Sequence, residues 1–172
     1  FVTANAGWLE DFALFMALKH RHGRQAWCDW PAPLRDRHPD ALAAAREELR
    51  EPIQYERFVQ YVFYRQYAEL KAHCDRRGVG IIGDVPIYVN HDSADVWAHP
   101  AVFKLDARKR PTHVAGVPPD YFSRTGQLWG NPVYDWAALA ATGFAWWMGR
   151  LRHNLRLFDC VRIDHFRGLV AY

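Results

Sequence analysis

Between Trp8 and His22 the apolar residues Trp8, Leu9, Phe12, Phe15 and Met16 recur at helical spacing. Glu10 and Asp11 stand early in that span and Lys19, Arg21 and Gly23 late, the order that a helix dipole and a glycine C-terminus favour. The pattern predicts a helix. A Trp- and Pro-rich loop follows from Trp27 to Arg37, and Pro39 takes the first position of a short helix running to about Arg50, which Pro52 breaks. Phe58, Val59, Val62, Phe63, Tyr67 and Leu70 then share one face of a longer helix closing at Arg76, Arg77 and Gly78.

Residues 79–85 read Val-Gly-Ile-Ile-Gly-Asp-Val, a short apolar run without alternation, as expected of a parallel strand covered on both faces. Pro86 marks its C-terminal end. From Tyr88 to Asp135 there is little periodicity, and a connection so long inside a compact domain is too long for a plain crossover and points to function. A helical pattern resumes at Trp136, is interrupted near Gly143, and continues through Trp146, Trp147, Leu151, Leu155 and Phe158. A second parallel strand is expected from Cys160 to Phe166. Helix, strand, excursion, helix, strand is the order of a parallel α/β sheet, either a barrel or an open sheet.

Composition narrows this picture. A closed eight-stranded α/β barrel takes about 250 residues, so 172 are too few to complete one. The chain opens on Phe1 rather than Met and reads as a piece of a longer protein. Half of the residues are apolar and 24% charged, enough for a core. The 22 basic residues outnumber the 19 acidic ones by only +3 and are scattered, which argues against a nucleic-acid partner. No run of 18 apolar residues exists, so no membrane partner is expected either. Cys28, Cys74 and Cys160 are odd in number, far apart and without paired spacing. They read as reduced thiols, and the expected location is the cytoplasm.

Three groups of residues stand out chemically. Asp84 interrupts an apolar strand near its C-terminal end, the edge at which α/β sheets place their ligands. Arg162 and Asp164 are two apart, so a strand puts both on one face and Val161 and Ile163 on the other, with the guanidinium keeping Asp164 ionised. An ordinary structural ion pair is the competing reading. Of the eight tryptophans most read as core, while Trp129, between Gln127 and Gly130-Asn131-Pro132, is placed for a ligand. His165 and Arg167 flank the second strand's end and are weaker candidates for orienting loops. His91, Asp92 and Asp95 match no metal template, and neither a metal nor another cofactor is expected.

The run from Gly83 to Trp97, Gly-Asp-Val-Pro-Ile-Tyr-Val-Asn-His-Asp-Ser-Ala-Asp-Val-Trp, resembles the 4-alpha-glucanotransferases, also called amylomaltases or disproportionating enzymes. Ala115 to Ser123 with Thr125 to Pro132 is similar to that family's flexible loop over the active site. Val161-Arg162-Ile163-Asp164-His165-Phe166-Arg167-Gly168 looks like its nucleophile strand, and the Trp8-Leu9-Glu10-Asp11 helix also fits, so the resemblance covers essentially the whole chain.

The resemblance implies that Asp164 is the nucleophile with Arg162 beside it. It implies that Asp84 binds hydroxyls of the reacting glucose, that Tyr121 and Phe122 ride on the mobile loop, and that Trp129 stacks on or lines the glucan path. The implied fold is part of a (β/α)8 TIM barrel, two central strands plus largely helical inserted segments. Residues 1–78 would be the helical inserted segment and a barrel helix. Residues 79–172 would hold the two strands, the active-site excursion and the connecting helix, together one incomplete catalytic domain. The implied reaction is transfer of α-1,4-glucan segments to glucose or another glucan by a retaining double displacement, on maltooligosaccharides and on starch or glycogen chains. The family's general-acid Glu and third carboxylate fall beyond Tyr172, so the chain by itself is expected to be inactive. The rival readings are an amylase-like α-glucan hydrolase and a non-catalytic glucan-binding module. A pure binding surface has no need of the Arg162 and Asp164 pair.

Overall fold

The first of the chain's two compact units takes in Phe1–Ala68 and Asp92–Pro100, and the second Glu69–His91 with the chain from Ala101 onward. The structure is a computed structural model and describes residues 1–170.

Five helices belong to the first unit: α1 (Val2–Arg21), α2 (Ala32–Arg35), α3 (Pro39–Glu48), α4 (Arg50–Asp75), whose last turns enter the second unit, and α5 (Ala94–Ala98). Helix α1 begins six residues earlier than its apolar periodicity predicts. Its first turn is held by a tertiary contact, the Phe1 ring lying 5.8 and 5.5 Å from Tyr61 and Tyr64 of α4. Its C-terminus is a Schellman closure: Arg24 N–H reaches Lys19 O at 2.7 Å and Gly23 N–H reaches His20 O at 3.2 Å, with Gly23 at φ +59. Leu9, Leu14 and Leu18 are fully buried, and Phe15, Trp30 and Trp97 form an aromatic cluster with centroids 5.5 to 5.8 Å apart. Pro39 opens α3 as expected. Pro52, expected to separate two helices, instead lies in the first turn of α4, where its missing N–H leaves no hydrogen bond unmade. The apolar face of α4 forms, yet within this chain it meets water, with Phe58 at 60% and Phe63 at 53% exposure.

In the second unit, β1 (Ile82–Pro86) pairs in parallel with β4 (Cys160–Asp164). Between them run β2 (Val114–Val117) and β3 (Gln127–Pro132), paired antiparallel, then α6 (Trp136–Ala141) and α7 (Ala145–Leu157). The mixed α/β order and the parallel pairing agree with the sequence reading. Three details differ from it. Strand β1 is covered on one face only: Gly83 and Val85 are buried while Ile82, Asp84 and Pro86 are exposed. Strand β4 stops at Asp164 rather than Phe166, because His165 turns left-handed at φ 53 and a short 3-10 turn, Phe166–Leu169, follows. The excursion, read as aperiodic, contains the β2–β3 pair.

Asp135 caps α6, accepting from Ala138 N–H at 3.0 Å. The break between α6 and α7 falls at Gly143, φ +59, where the pattern lapsed. Both ends of the parallel pair are pinned by side chains. At the start, Asp159 accepts from Ile81 N–H at 2.8 Å and from Lys71 at 2.9 Å. At the finish, Arg150 of α7 donates to Pro86 O at 2.6 Å and Ile87 O at 3.1 Å, and the Tyr134 hydroxyl donates to Ile87 O at 2.7 Å. The bonds at the finish satisfy carbonyls at the end of the ladder and just past it. Val85, Ile87, Tyr88, Phe103, Ala115, Val133, Tyr134, Leu139 and Trp147 make up this unit's core.

Candidate active site

The register of the parallel pair sets Asp84 opposite Arg162 and Pro86 opposite Asp164. Strand alternation puts Arg162 and Asp164 on the exposed face of β4 and keeps Val161 and Ile163 on the half-buried one, as the spacing predicts. The partner of the guanidinium differs from the expected one. Arg162 Nε donates to Asp84 Oδ1 at 2.9 Å and Nη2 to Oδ2 at 2.7 Å, a two-pronged bond across the strands, while Nη2 lies 3.2 Å from Asp164 Oδ1. Geometry explains the choice. Directly opposed residues of paired strands sit about 5 Å apart, whereas i and i+2 on one strand are nearer 6.6 Å. One arginine therefore bridges two carboxylates at the C-terminal end of a parallel pair.

The bridge has an electrostatic consequence. The hydrogen bonds from Arg162, and then its charge, hold the Asp84 carboxyl below the usual carboxylate range. Asp84 is thus an ionised acceptor, suited to binding hydroxyl groups and unsuited to giving up a proton. Asp164 carries the site's other exposed carboxylate, facing the same open side.

Trp129 lies on β3, its indole N–H donating to Gln127 Oε1 at 3.0 Å. Its ring meets His165, the residue after Asp164, at 4.9 Å and 85°, and Tyr88, just past β1, at 6.3 Å. Trp129 is thereby gathered to the same strand ends as the carboxylates, with 38% of its surface still open. Asn131 fastens β3 to the chain after β1, donating to Val89 O at 2.9 Å.

Tyr121 and Phe122 sit on the connection between β2 and β3. They project into solvent at 97% and 87% exposure and touch each other, edge to face at 5.7 Å. The backbone beneath them is shaped: Asp120 Oδ1 accepts from Phe122 N–H at 2.9 Å and Ser123 N–H at 2.8 Å. The Ser123 hydroxyl donates to Gly126 O at 2.7 Å. At Gly126, φ +74, a side chain would strike Val117 O at 2.5 Å, so only glycine closes this loop.

Two of the other candidates, Asp92 and His91, have structural work. Asp92 takes Lys19 at 2.6 Å and Trp27 N–H at 3.2 Å, and His91 Nε2 meets Lys109 O at 2.7 Å. Arg150 and Asp120 were not singled out from the sequence. The Pro-Pro-Asp of residues 118–120 is a readable turn signal. Arg150 has none, because its partners lie 63 and 64 positions away.

Comparison with known proteins gives a consistent answer. A family model described as 4-alpha-glucanotransferase, glycoside hydrolase family 77, matches residues 1–172. The chain is 55% identical over 172 residues to the 4-alpha-glucanotransferase of Thermus thermophilus and 51% identical over 173 residues to that of Synechocystis, covering all of this chain and 34% of each relative. It therefore spans about a third of the length of the curated relatives it matches. Among solved structures, an amylomaltase from Streptococcus agalactiae in complex with acarbose superposes with a TM-score of 0.90 at 46% identity, over 96% of this chain and 34% of that one.

Proposed function

The chain belongs to the 4-alpha-glucanotransferase family, and from that membership we propose that the full-length protein transfers α-1,4-glucan segments to glucose or another glucan, with Asp164 as the nucleophile. The observation that carries the residue assignment is the bridge from Asp84 through Arg162 to Asp164 at one strand end. Asp164 attacks the anomeric carbon and becomes the covalent glycosyl ester, while Arg162 orients it. Asp84, kept ionised, accepts hydroxyls of the reacting sugar.

A retaining double displacement needs a second carboxyl group to protonate the leaving oxygen and later deprotonate the acceptor hydroxyl. The family resemblance implies that this acid is a Glu in the part of the protein beyond Tyr172, and Asp84, held ionised by Arg162, is left to bind hydroxyls. Tyr121 and Phe122 cover the covalent intermediate and favour an incoming sugar hydroxyl over water. Trp129 offers its open face to an apolar sugar face. In this reading β1 and β4 are two strands of a (β/α)8 barrel, supported by their parallel pairing through α7 and by a charged face left open toward the missing strands. Residues 1–78 are then the helical inserted segment and barrel helix of one catalytic domain.

Quenching the full-length protein with a slow fluoro-glucosyl donor and sequencing the labelled peptide by mass spectrometry tests the central assignment. The sugar ester is expected on Asp164. A label on Asp84 or Asp120 refutes it.

A further inference from the structure

We propose that His165 is a positioning residue that fixes the Trp129 indole relative to the strand end carrying Asp164; this rests on the glucanotransferase reading above and deepens it. If β4 continued as a strand, residue 165 would point to the same side as Val161 and Ile163, away from the carboxylates. The left-handed conformation of His165, φ 53 and ψ 52, takes it out of that alternation. Histidine is among the few non-glycine residues that adopt this region readily, and such backbone conformations concentrate where a site needs a side chain re-aimed. Here the re-aimed ring meets Trp129 at 4.9 Å and 85°, an edge-to-face contact.

Two further contacts make this a seat rather than a passing touch. The indole N–H is held by Gln127 at 3.0 Å, and Tyr88 lies 6.3 Å from the ring. Tyr88 in turn stacks on the buried Tyr134 at 5.9 Å. The 3-10 turn that follows His165 is pressed onto the same residue, since a Cβ on Gly168 would come within 3.2 Å of the Tyr88 hydroxyl and 3.0 Å of Ile87 Cγ1. His165 and Trp129 are therefore both referenced to Tyr88, and the imidazole closes the triangle. The open part of the indole keeps one orientation as sugar arrives, so the ordering of the platform is already done before binding.

The test uses the full-length protein with His165→Asn, which tolerates the left-handed backbone but removes the ring, and His165→Phe, which restores a ring edge. With maltotriose, His165→Asn should raise KM roughly three- to tenfold with kcat largely retained, and His165→Phe should recover most of the loss. In a Trp129→Leu background His165→Asn should add nothing. An undiminished effect in that background, or a fall in kcat at unchanged KM, overturns the proposal. The indole N–H resonance of Trp129, assigned by its disappearance in Trp129→Leu, reads the contact without turnover. It should shift in His165→Asn, and an unmoved resonance overturns the proposal. A shifted resonance in a protein that performs no glucan transfer leaves the seating of Trp129 intact and refutes the functional reading instead.

Discussion

Arg162 grips Asp84 of the neighbouring strand with two hydrogen bonds, at 2.9 and 2.7 Å, while lying 3.2 Å from Asp164 on its own strand. The pairing sets a pH dependence. A carboxyl whose folded value is lowered contributes stability above its unfolded value and loses that contribution as pH falls through the folded one. Both side chains are more than half exposed, so salt screens the contribution. In Arg162→Met the Asp84 titration midpoint should move up into the ordinary aspartate range, read by carboxyl carbon NMR. A midpoint that stays where it is in the wild type would mean that another group holds Asp84 ionised.

Asp164→Asn in the full-length protein preserves size and hydrogen bonding and removes the attacking charge. Glucan binding should survive, and turnover of maltotriose should fall at least about a thousandfold, since each ~1.4 kcal/mol of barrier is tenfold in rate. Near-normal transfer by this variant would end the assignment.

Phe122→Ala should tilt the full-length protein from transfer toward hydrolysis, because a smaller cover admits water to the covalent intermediate. The ratio of free glucose to lengthened products from maltotriose measures it. An unchanged ratio would remove Phe122 from the mechanism.

Gly83 lies on the buried face of β1, and a Cβ there would collide with the Phe158 ring. Gly83→Ala should therefore lower stability by roughly 1–3 kcal/mol, the range for overpacking a tight site. Thermal unfolding of the full-length protein should show the loss, and Gly83→Ala with Phe158→Leu should recover part of it.

The local rules account for what was legible. Alternation along Cys160 to Asp164 revealed the charged face of β4 because one side of that strand is covered and the other open. Gly23 and Gly143 marked their breaks because each adopts a positive φ that glycine tolerates. The β2–β3 pair left no pattern, since Leu128 at 80% exposure and Trp129 both stand toward solvent. The start of α1 and the grip of Arg150 on the end of β1 depend on partners distant in sequence, which no window of neighbouring residues contains. The same holds for Arg162: its spacing from Asp164 was visible, but its choice of Asp84 required the register of two strands. The roles proposed for Asp164, Tyr121 and Phe122 start from motif resemblance; the strand-end bridge supports the one proposed for Asp164, and the spacing of Tyr121 and Phe122 in the sequence carries no signal of its own.

The strands that carry Asp84 and Arg162 are consecutive neighbours in space but 78 positions apart in the chain. At a synthesis rate of about 5–20 residues per second, Asp84 leaves the ribosome roughly 4–16 s before its arginine does. Throughout that interval the edge of β1 that β4 takes stays open, while the first unit, whose last segment ends at Pro100, is already made and free to pack. Nascent-chain folding should thus settle the helical segments before the carboxylate bridge, and the edge of β1 beside its Ile-Ile-Gly-Asp-Val run waits for its partner until β4 is made.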